Sequence, residues 1–185
     1  MLRGKRIVVR PMRDEDVPVV AAWAADPAKA SGDFQRFQIE HGRLLTGMYA
    51  RGGLIGRDSG FMIVELLAQR KQIGFVRHNT GQFPDPDIAS VDIGYGIAEP
   101  EHRGKGYATE SVALLLDYLF SGYVVERVSA FTDAENTPSR RLLEHLGFVC
   151  EGTMRSATFR QGAWRDMCIY GILRREWAAK KQETT

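Results

Sequence analysis

Residues 88–111 read IASVDIGYGIAEPEHRGKGYATES, and this stretch decides the predicted fold. Its first half has the period-2 pattern of a β-strand, in which small or polar residues alternate with Val91, Ile93, Tyr95 and Ile97. Pro100 ends that strand, and residues 109–120 have a helical period. A strand therefore leads through a glycine-containing turn into a helix.

The turn before this helix has the composition of an anion-binding site. The first N–H groups of a helix have no intrahelical partner, and the helix dipole adds partial positive charge there. Gly104 and Gly106 lack a Cβ and allow close approach of a phosphate, while His102, Arg103 and Lys105 raise the positive potential. A pyrophosphate fits this description.

Two common nucleotide-binding motifs are excluded by their spacing. The chain has no G-x-x-x-x-G-K-[ST], and Thr109 stands where a dinucleotide fingerprint has glycine or alanine. Neither a P-loop nor a Rossmann turn is predicted. An ordinary glycine turn before a helix stays open as the alternative.

The composition indicates one compact domain, residues 1–185. The chain has 185 residues, 44% of them hydrophobic and 26% charged. A net charge of +2 is too small to indicate a nucleic-acid or membrane-surface partner. The histidines and the two cysteines, Cys150 and Cys168, show no metal-ligand or disulfide pattern, so no metal is expected. The absence of a signal peptide or a long apolar run predicts a cytoplasmic protein.

Periodicity and turn residues predict a mixed α/β order of elements. Strands are expected at 6–12, 61–67, 72–77, 91–97, 127–132, 148–155 and 164–173. Helices are expected from 14 to Pro27 and at 38–51, 109–120 and 136–146, followed by a polar helical tail at 174–185. Trp164 and Trp177 are expected to anchor the terminal hairpin and the tail in the core.

Several parts of the chain resemble the GCN5-related N-acetyltransferase (GNAT) superfamily. Residues 103–108, RGKGYA, resemble its acyl-CoA-binding motif R/Q-x-x-G-x-G/A, and Asn136-x-x-Ser139-x-x-Leu142 resembles its second motif. The opening RIVVRPMRDED (6–16) and the ending GTMRSATFRQGAWRDMCIYGILRREW (152–177) are similar to the RimJ/RimL type, the branch that contains ribosomal-protein N-terminal acetyltransferases. The resemblance covers nearly the whole chain.

This resemblance implies an α/β (α+β) single domain with a central mixed, mostly antiparallel sheet. About seven strands are flanked by about four helices, with a splay between the fourth and fifth strands. It also implies acetyl transfer from acetyl-CoA to a primary amine by direct attack in a ternary complex. The expected CoA-binding residues are Ile93, Gly94, Tyr95, Ile97, Arg103, Gly104, Lys105, Gly106, Tyr107, Ala108, Thr109, Asn136 and Ser139. Asn136 is also explained as the N-cap of its helix.

The candidate base is Asp92, the only carboxylate inside the strand predicted at 91–97. Partial burial would raise the pKa of Asp92 towards the useful range. A structural hydrogen bond or a pair with an arginine is the alternative, and Glu65 and Glu99 are weaker candidates. The resemblance implies that a backbone N–H at an irregularity in this strand polarises the thioester oxygen. Here the irregularity falls at 93–97, where Gly94 and Gly96 suit a bulge.

The proton donor for the leaving thiolate departs from the common family pattern. Many relatives carry a tyrosine one residue after the leucine that corresponds to Leu142, and this chain has Leu143 there. The resemblance implies a serine on this helix, and Ser139 occupies that position. Ser139 either donates the proton, orients CoA or a water, or caps the turn. The alternative is that the CoA thiolate leaves unaided into a positive environment.

The acceptor class stays open at this point. The N-terminal α-amine of a protein, a small-molecule amine and a lysine side chain all fit the branch, and residues 28–60 with the terminal hairpin loop are expected to select among them. Nucleic acid and membrane are not expected as partners, and the chain is expected to be a monomer or a homodimer. The alternative to an enzyme is a noncatalytic acyl-CoA-binding module, which the missing tyrosine favours.

Overall fold

The computed structural model describes residues 1–26, 28–29, 42–52, 54–56, 58–81, 90–160 and 162–184. Within them the chain forms a mixed α/β fold with eight β-strands and five α-helices. The predicted fold class is confirmed, with one strand more than the seven expected; the fifth helix is the helical tail predicted at 174–185. The predicted helix start at 38–41 and the predicted loop at 82–87 lie outside the described residues.

The elements follow the predicted order along the chain. The strands are β1 (Leu2–Arg3), β2 (Ile7–Pro11), β3 (Ser59–Leu66), β4 (Gln72–Gly81), β5 (Ser90–Ile97), β6 (Arg127–Asp133), β7 (Val149–Arg160) and β8 (Ala163–Leu173). The α-helices are α1 (Val17–Ala25), α2 (Gly42–Gly52), α3 (Tyr107–Gly122), α4 (Thr137–His145) and α5 (Arg174–Thr184). Two 3-10 turns, Asp14–Asp16 and Pro100–His102, precede α1 and α3.

The chain forms two compact units, and the first comprises Met1–Asn79 and Tyr95–Leu115. Its strands run in the order β1-β2-β3-β4-β5, with antiparallel pairing from β1 to β4. Apolar residues on these strands fill its core because β-branched side chains pack well on a pleated surface: Ile7, Val9, Ile63, Val64, Ile73 and Val76. Helix α1 packs on this core through Val20 and Trp23.

A buried ionic cluster joins several elements of the first unit. The guanidinium of Arg10 on β2 donates to Asp16 through Nη1 at 2.6 Å and Nη2 at 2.9 Å, and to Glu65 on β3 through Nε at 2.6 Å. Gln72 on β4 donates to the same Asp16 carboxylate at 2.9 Å. Since Arg10 is only 1% exposed and Asp16 is fully buried, these bonds satisfy charges that burial would otherwise penalise.

The second unit comprises Thr80–Gly94 and Leu116–Thr185. Its strands run in the order β5-β6-β8-β7, with β5 parallel to β6 and the other pairs antiparallel. The β5–β6 register joins Val91 to Val128 and continues to Ile93 and Ala130. The splay expected between these two strands stays a prediction.

The terminal hairpin and the tail confirm one tryptophan prediction and correct the other. Trp177 on α5 is 7% exposed and donates through Nε1 to Asp117 at 2.9 Å, so the tail is anchored as expected. Trp164 is 66% exposed and the prediction that it lies in the core is wrong. Its position next to the hairpin turn places it beyond the core, where it packs edge-on against Phe159.

No helix among the described residues combines the length and the apolar run needed to cross a membrane. Those residues also contain no group of three or more histidine, cysteine, aspartate or glutamate side chains arranged to hold a metal ion.

Candidate active site

The predicted strand–turn–helix is present and forms the centre of the site. Strand β5 ends at Ile97, and α3 begins at Tyr107, two residues earlier than predicted. Gly104 and Gly106 have φ angles of +70° and +80°, the left-handed region that favours glycine. The first backbone bond of α3 runs from the N–H of Glu110 to the carbonyl of Gly106, at 3.1 Å. The N–H groups before Glu110 are the orphan donors of a helix start, which suit a phosphate.

Arg103 holds the loop against the end of β5. Its guanidinium donates to the carbonyls of Ile97 at 2.9 Å, Ala98 at 3.0 Å and Ala28 at 2.8 Å. These acceptors use much of its hydrogen-bonding capacity. The side chain of Arg103 therefore ties the loop to the end of β5. Lys105, two residues later, is exposed.

The end of β5 is irregular on the side of β4. The N–H groups of Ala98 and Glu99 both point at the carbonyl of Ile73, at 2.8 and 3.3 Å, which is the convergence expected of a bulge. A Cβ on Gly74 would lie 3.0 Å from the Cα of Ile97 and inside contact distance of the Gly96 carbonyl oxygen. The backbones of β4 and β5 thus approach each other closely just before the loop. The irregularity predicted at 93–97 and its catalytic use stay predictions.

The two weaker base candidates have partners. Glu99 accepts from the indole N–H of Trp23 at 2.8 Å and from the ammonium of Lys29 at 3.3 Å. Glu65 is paired with Arg10 in the buried cluster. Both carboxylates serve the structure of the first unit.

Asp92 is half-buried on β5 in the second unit, directly across from Ser129 on β6. Arg127 lies near it: Glu151 is the main partner that raises the pKa of Arg127, and Asp92 adds to the same effect. The guanidinium of Arg127 also donates to Glu151 at 2.9 Å. The electrostatic contact with Arg127 fits the structural alternative for Asp92, and its catalytic role stays a prediction.

Helix α4 carries the second motif. The Oδ1 of Asn136 accepts from the N–H of Ser139 at 3.1 Å, so Asn136 is the N-cap of α4. Leu143, at the position where many relatives have tyrosine, is fully buried in the core of the second unit. Arg140 on the same helix bonds the hydroxyl of Tyr170 at 3.3 Å.

The predicted residues fall in both units. The first unit holds the loop and helix start, which comprise Tyr95, Ile97, Arg103, Gly104, Lys105, Gly106, Tyr107, Ala108 and Thr109. The second holds Asp92, Ile93, Gly94, Asn136 and Ser139. Their roles in binding and catalysis stay predictions. Sequence reasoning missed Arg6 and Glu110 beside the loop, because no local pattern connects residues 104 positions apart.

Comparison with known proteins shows the family. Residues 6–149 match the acetyltransferase (GNAT) domain model. The chain is 30% identical over 179 residues to the uncharacterized N-acetyltransferase p20 of Bacillus licheniformis, covering 96% of this chain and 98% of p20. A shorter match, 34% identical over 77 residues, joins 40% of this chain to 41% of the spermidine N(1)-acetyltransferase of Escherichia coli.

A solved structure agrees with the fold. The complex of Mycobacterium smegmatis RimJ with CoA-disulfide is similar with a TM-score of 0.75 at 25% identity, covering 96% of this chain and 88% of RimJ. The nearly complete p20 match and the domain model, together with the glycine loop at the start of α3, show that this chain belongs to the GNAT superfamily and is an N-acetyltransferase.

Proposed function

We propose that this N-acetyltransferase moves an acetyl group from acetyl-CoA to the primary amine of a small molecule by direct attack in a ternary complex. The assignment of acetyl-CoA as the donor rests on one observation: Gly104 and Gly106, both left-handed, precede the unpaired N–H groups at the start of α3. The match to a spermidine acetyltransferase supports a small-molecule amine. The RimJ/RimL-like opening and ending support a protein N-terminal α-amine as the second acceptor class.

The reaction forms a bond between the amine nitrogen and the acetyl carbon and breaks the carbon–sulfur bond. The attacking nitrogen loses a proton, and CoA leaves as the thiol after the thiolate gains one. We assign the first proton to Asp92, directly or through a water, because Asp92 is the half-buried carboxylate within β5, the strand that leads into the glycine loop. Ser139 is assigned to the thiolate side, either as the donor or by orienting CoA.

The acceptor class is tested by measuring thiol release from acetyl-CoA in the presence of three amines. These are spermidine, a peptide with a free N-terminus and no lysine, and the same peptide acetylated at its N-terminus with one lysine added. We expect release with spermidine. Thiol release only with the peptide that has a free N-terminus would contradict a small-molecule acceptor, but it would still support acetyl-CoA as the acetyl donor. Stabilisation by CoA without release for any amine would support the noncatalytic module instead.

The role of Asp92 is tested with Asp92→Asn. We expect kcat to fall by about 10²–10⁴-fold, the usual contribution of a general base, and the acidic limb of the pH–rate profile to disappear. Asp58→Asn is the matched control, because Asp58 is an exposed aspartate in the first unit. An Asp92→Asn enzyme with the wild-type kcat and pH profile would leave Asp92 with its structural role beside Arg127.

A further inference from the structure

Arg6, between β1 and β2, makes several contacts with the loop and the first turn of α3. Its Nη1 donates to the carbonyl of Lys105 at 2.7 Å, and its guanidinium lies 4.8 Å from the ring centre of Tyr107. Its Nε donates to Oε2 of Glu110 at 2.9 Å, and its backbone N–H donates to Oε1 of the same carboxylate at 2.8 Å. All of these contacts lie within the first unit.

Glu110 places a negative charge close to the helix start at which the anion is proposed to bind. It lies in the first turn of α3, and its side chain is 16% exposed. A carboxylate there interacts well with the helix dipole but repels an anion at the same helix start. Burial alone would raise the pKa of Glu110, and the backbone N–H and guanidinium of Arg6 outweigh burial and lower it, so the group is an ion at neutral pH.

The chain around Arg6 is shaped for this contact. A Cβ on Gly4 would fall inside contact distance of the Glu110 carboxylate, so the turn from β1 to β2 packs directly against the position that this carboxylate takes. On the loop side, a Cβ on Gly106 would lie 3.2 Å from Nη2 of Arg6. The guanidinium therefore occupies the space between the carboxylate of the helix and the glycine of the loop.

We propose that Arg6 is a positioning residue for the diphosphate of CoA: through the carbonyl of Lys105 it holds the loop that contains the left-handed Gly104 and Gly106, and it neutralises Glu110 in the first turn of α3. This inference rests on the proposed function, since the anion is the diphosphate of the acetyl donor. Arg6 acts through the loop and through Glu110, and a bond from Arg6 to the ligand is no part of the inference. The motif R/Q-x-x-G-x-G/A would then depend on a residue about a hundred positions earlier in the chain.

The test compares CoA binding by calorimetry for Arg6→Ala, Glu110→Gln and the double variant. We expect Arg6→Ala to raise the Kd about tenfold, in line with the loss of charge-assisted bonds. Glu110→Gln removes the repelling charge and keeps an acceptor, so we expect it to leave the Kd unchanged or lower. In the double variant, Glu110→Gln is expected to recover at least half of the loss on a logarithmic scale.

Two further variants separate positioning from folding. Arg6→Lys keeps a charge near Glu110 but lacks the planar guanidinium that reaches two acceptors, so we expect a Kd between those of wild type and Arg6→Ala. Arg3→Ala removes an exposed arginine from the same N-terminal segment and is expected to bind CoA as wild type does. If Arg6→Ala does not fold, the Arg6→Lys and Glu110→Gln measurements still decide the matter.

Kinetics give a readout that a purely structural role would not move. With acetyl-CoA we expect Arg6→Ala to raise KM for the donor about tenfold while kcat and the KM for the amine stay near wild type. With S-acetylpantetheine, a donor without diphosphate, the variant and wild type should react equally. An equal loss with both donors would overturn the inference.

The outcomes distinguish this inference from the proposed function. If the wild-type protein binds no CoA, both the proposed acetyl donor and the proposed role of Arg6 are wrong. Wild-type protein that binds CoA, with Arg6→Ala binding as tightly, would overturn only the role of Arg6.

Discussion

The two glycines of the loop share a left-handed backbone but differ in their surroundings. A Cβ on Gly104 has nothing within 4 Å, whereas a Cβ on Gly106 would lie 3.2 Å from the guanidinium of Arg6. An alanine at either position carries a conformational cost of roughly 1–2 kcal/mol. Only the Cβ at position 106 comes so close to Arg6 that the guanidinium has to give way by a few tenths of an ångström.

Gly106→Ala should therefore weaken CoA binding more than Gly104→Ala does. We expect the Kd for CoA to rise at least about threefold further in Gly106→Ala, a difference of about 0.6 kcal/mol. Calorimetric titration of both variants with CoA measures this, and their melting temperatures report the shared backbone cost. Equal losses, or a larger loss in Gly104→Ala, would contradict the displacement of Arg6.

Some residues of the site were predictable from their neighbours in sequence, and others were not because they depend on contacts between distant parts of the chain. Gly104 and Gly106 were predictable because left-handed glycines at a helix start follow from neighbouring residues. The N-cap alternative for Asn136 was predictable for the same reason. The contact of Arg6 with Glu110 and that of Trp23 with Glu99 depend on residues far apart in sequence, and periodicity contains no information about such pairs.

At the scale of elements, the cluster of Arg10, Asp16 and Glu65 joins β2, β3 and the turn before α1. Burial would raise the pKa of Asp16, but the guanidinium of Arg10, the N–H of Arg13 and the amide of Gln72 outweigh burial and lower it. A carboxyl group whose pKa is depressed on folding contributes stability above its unfolded pKa, near 3.9, and loses it as pH falls through its folded pKa.

We therefore expect the free energy of unfolding to decrease as the pH falls from about 5 towards 2, with Asp16 as a main contributor. In Asp16→Asn this decrease should be smaller, because the group that titrates has been removed. The variant should also be about 3–5 kcal/mol less stable at pH 7, since Arg10 stays buried with one carboxylate fewer. Urea titrations across this pH range measure both effects, with Asp58→Asn as the exposed control. An unchanged pH slope in Asp16→Asn would contradict the assignment.

The elements themselves were largely predictable, and the exceptions have physical causes. Strong alternation and glycine stops predicted β5, α3 and α4 to within a few residues. Strand β1 was missed because two residues, Leu2 and Arg3, cannot show a period. Trp164 was misplaced because a large aromatic residue beside a turn has the same sequence signal whether the hairpin end packs or projects.

At the scale of the molecule, three elements run through both compact units. The unit boundaries fall inside β4, β5 and α3, between Asn79 and Thr80, between Gly94 and Tyr95, and between Leu115 and Leu116. Each of these elements therefore continues along the chain from one unit into the other. We therefore propose that residues 1–185 behave as one cooperative domain.

Calorimetry tests this proposal with one variant in each unit. Gly74→Ala places a methyl group against the backbone of Gly96 and Ile97 in the first unit and should cost about 1–3 kcal/mol. Leu143→Ala leaves a cavity at a fully buried position in the second unit and should cost about 2–5 kcal/mol. We expect one transition in wild type, with equal calorimetric and van't Hoff enthalpies, and one transition at a lower temperature in each variant. Gly152→Ala, a strand glycine with nothing within 4 Å of its added Cβ, is the control and should melt near wild type. Two transitions, of which Gly74→Ala moves one and Leu143→Ala the other, would show that the units unfold separately despite the elements they share.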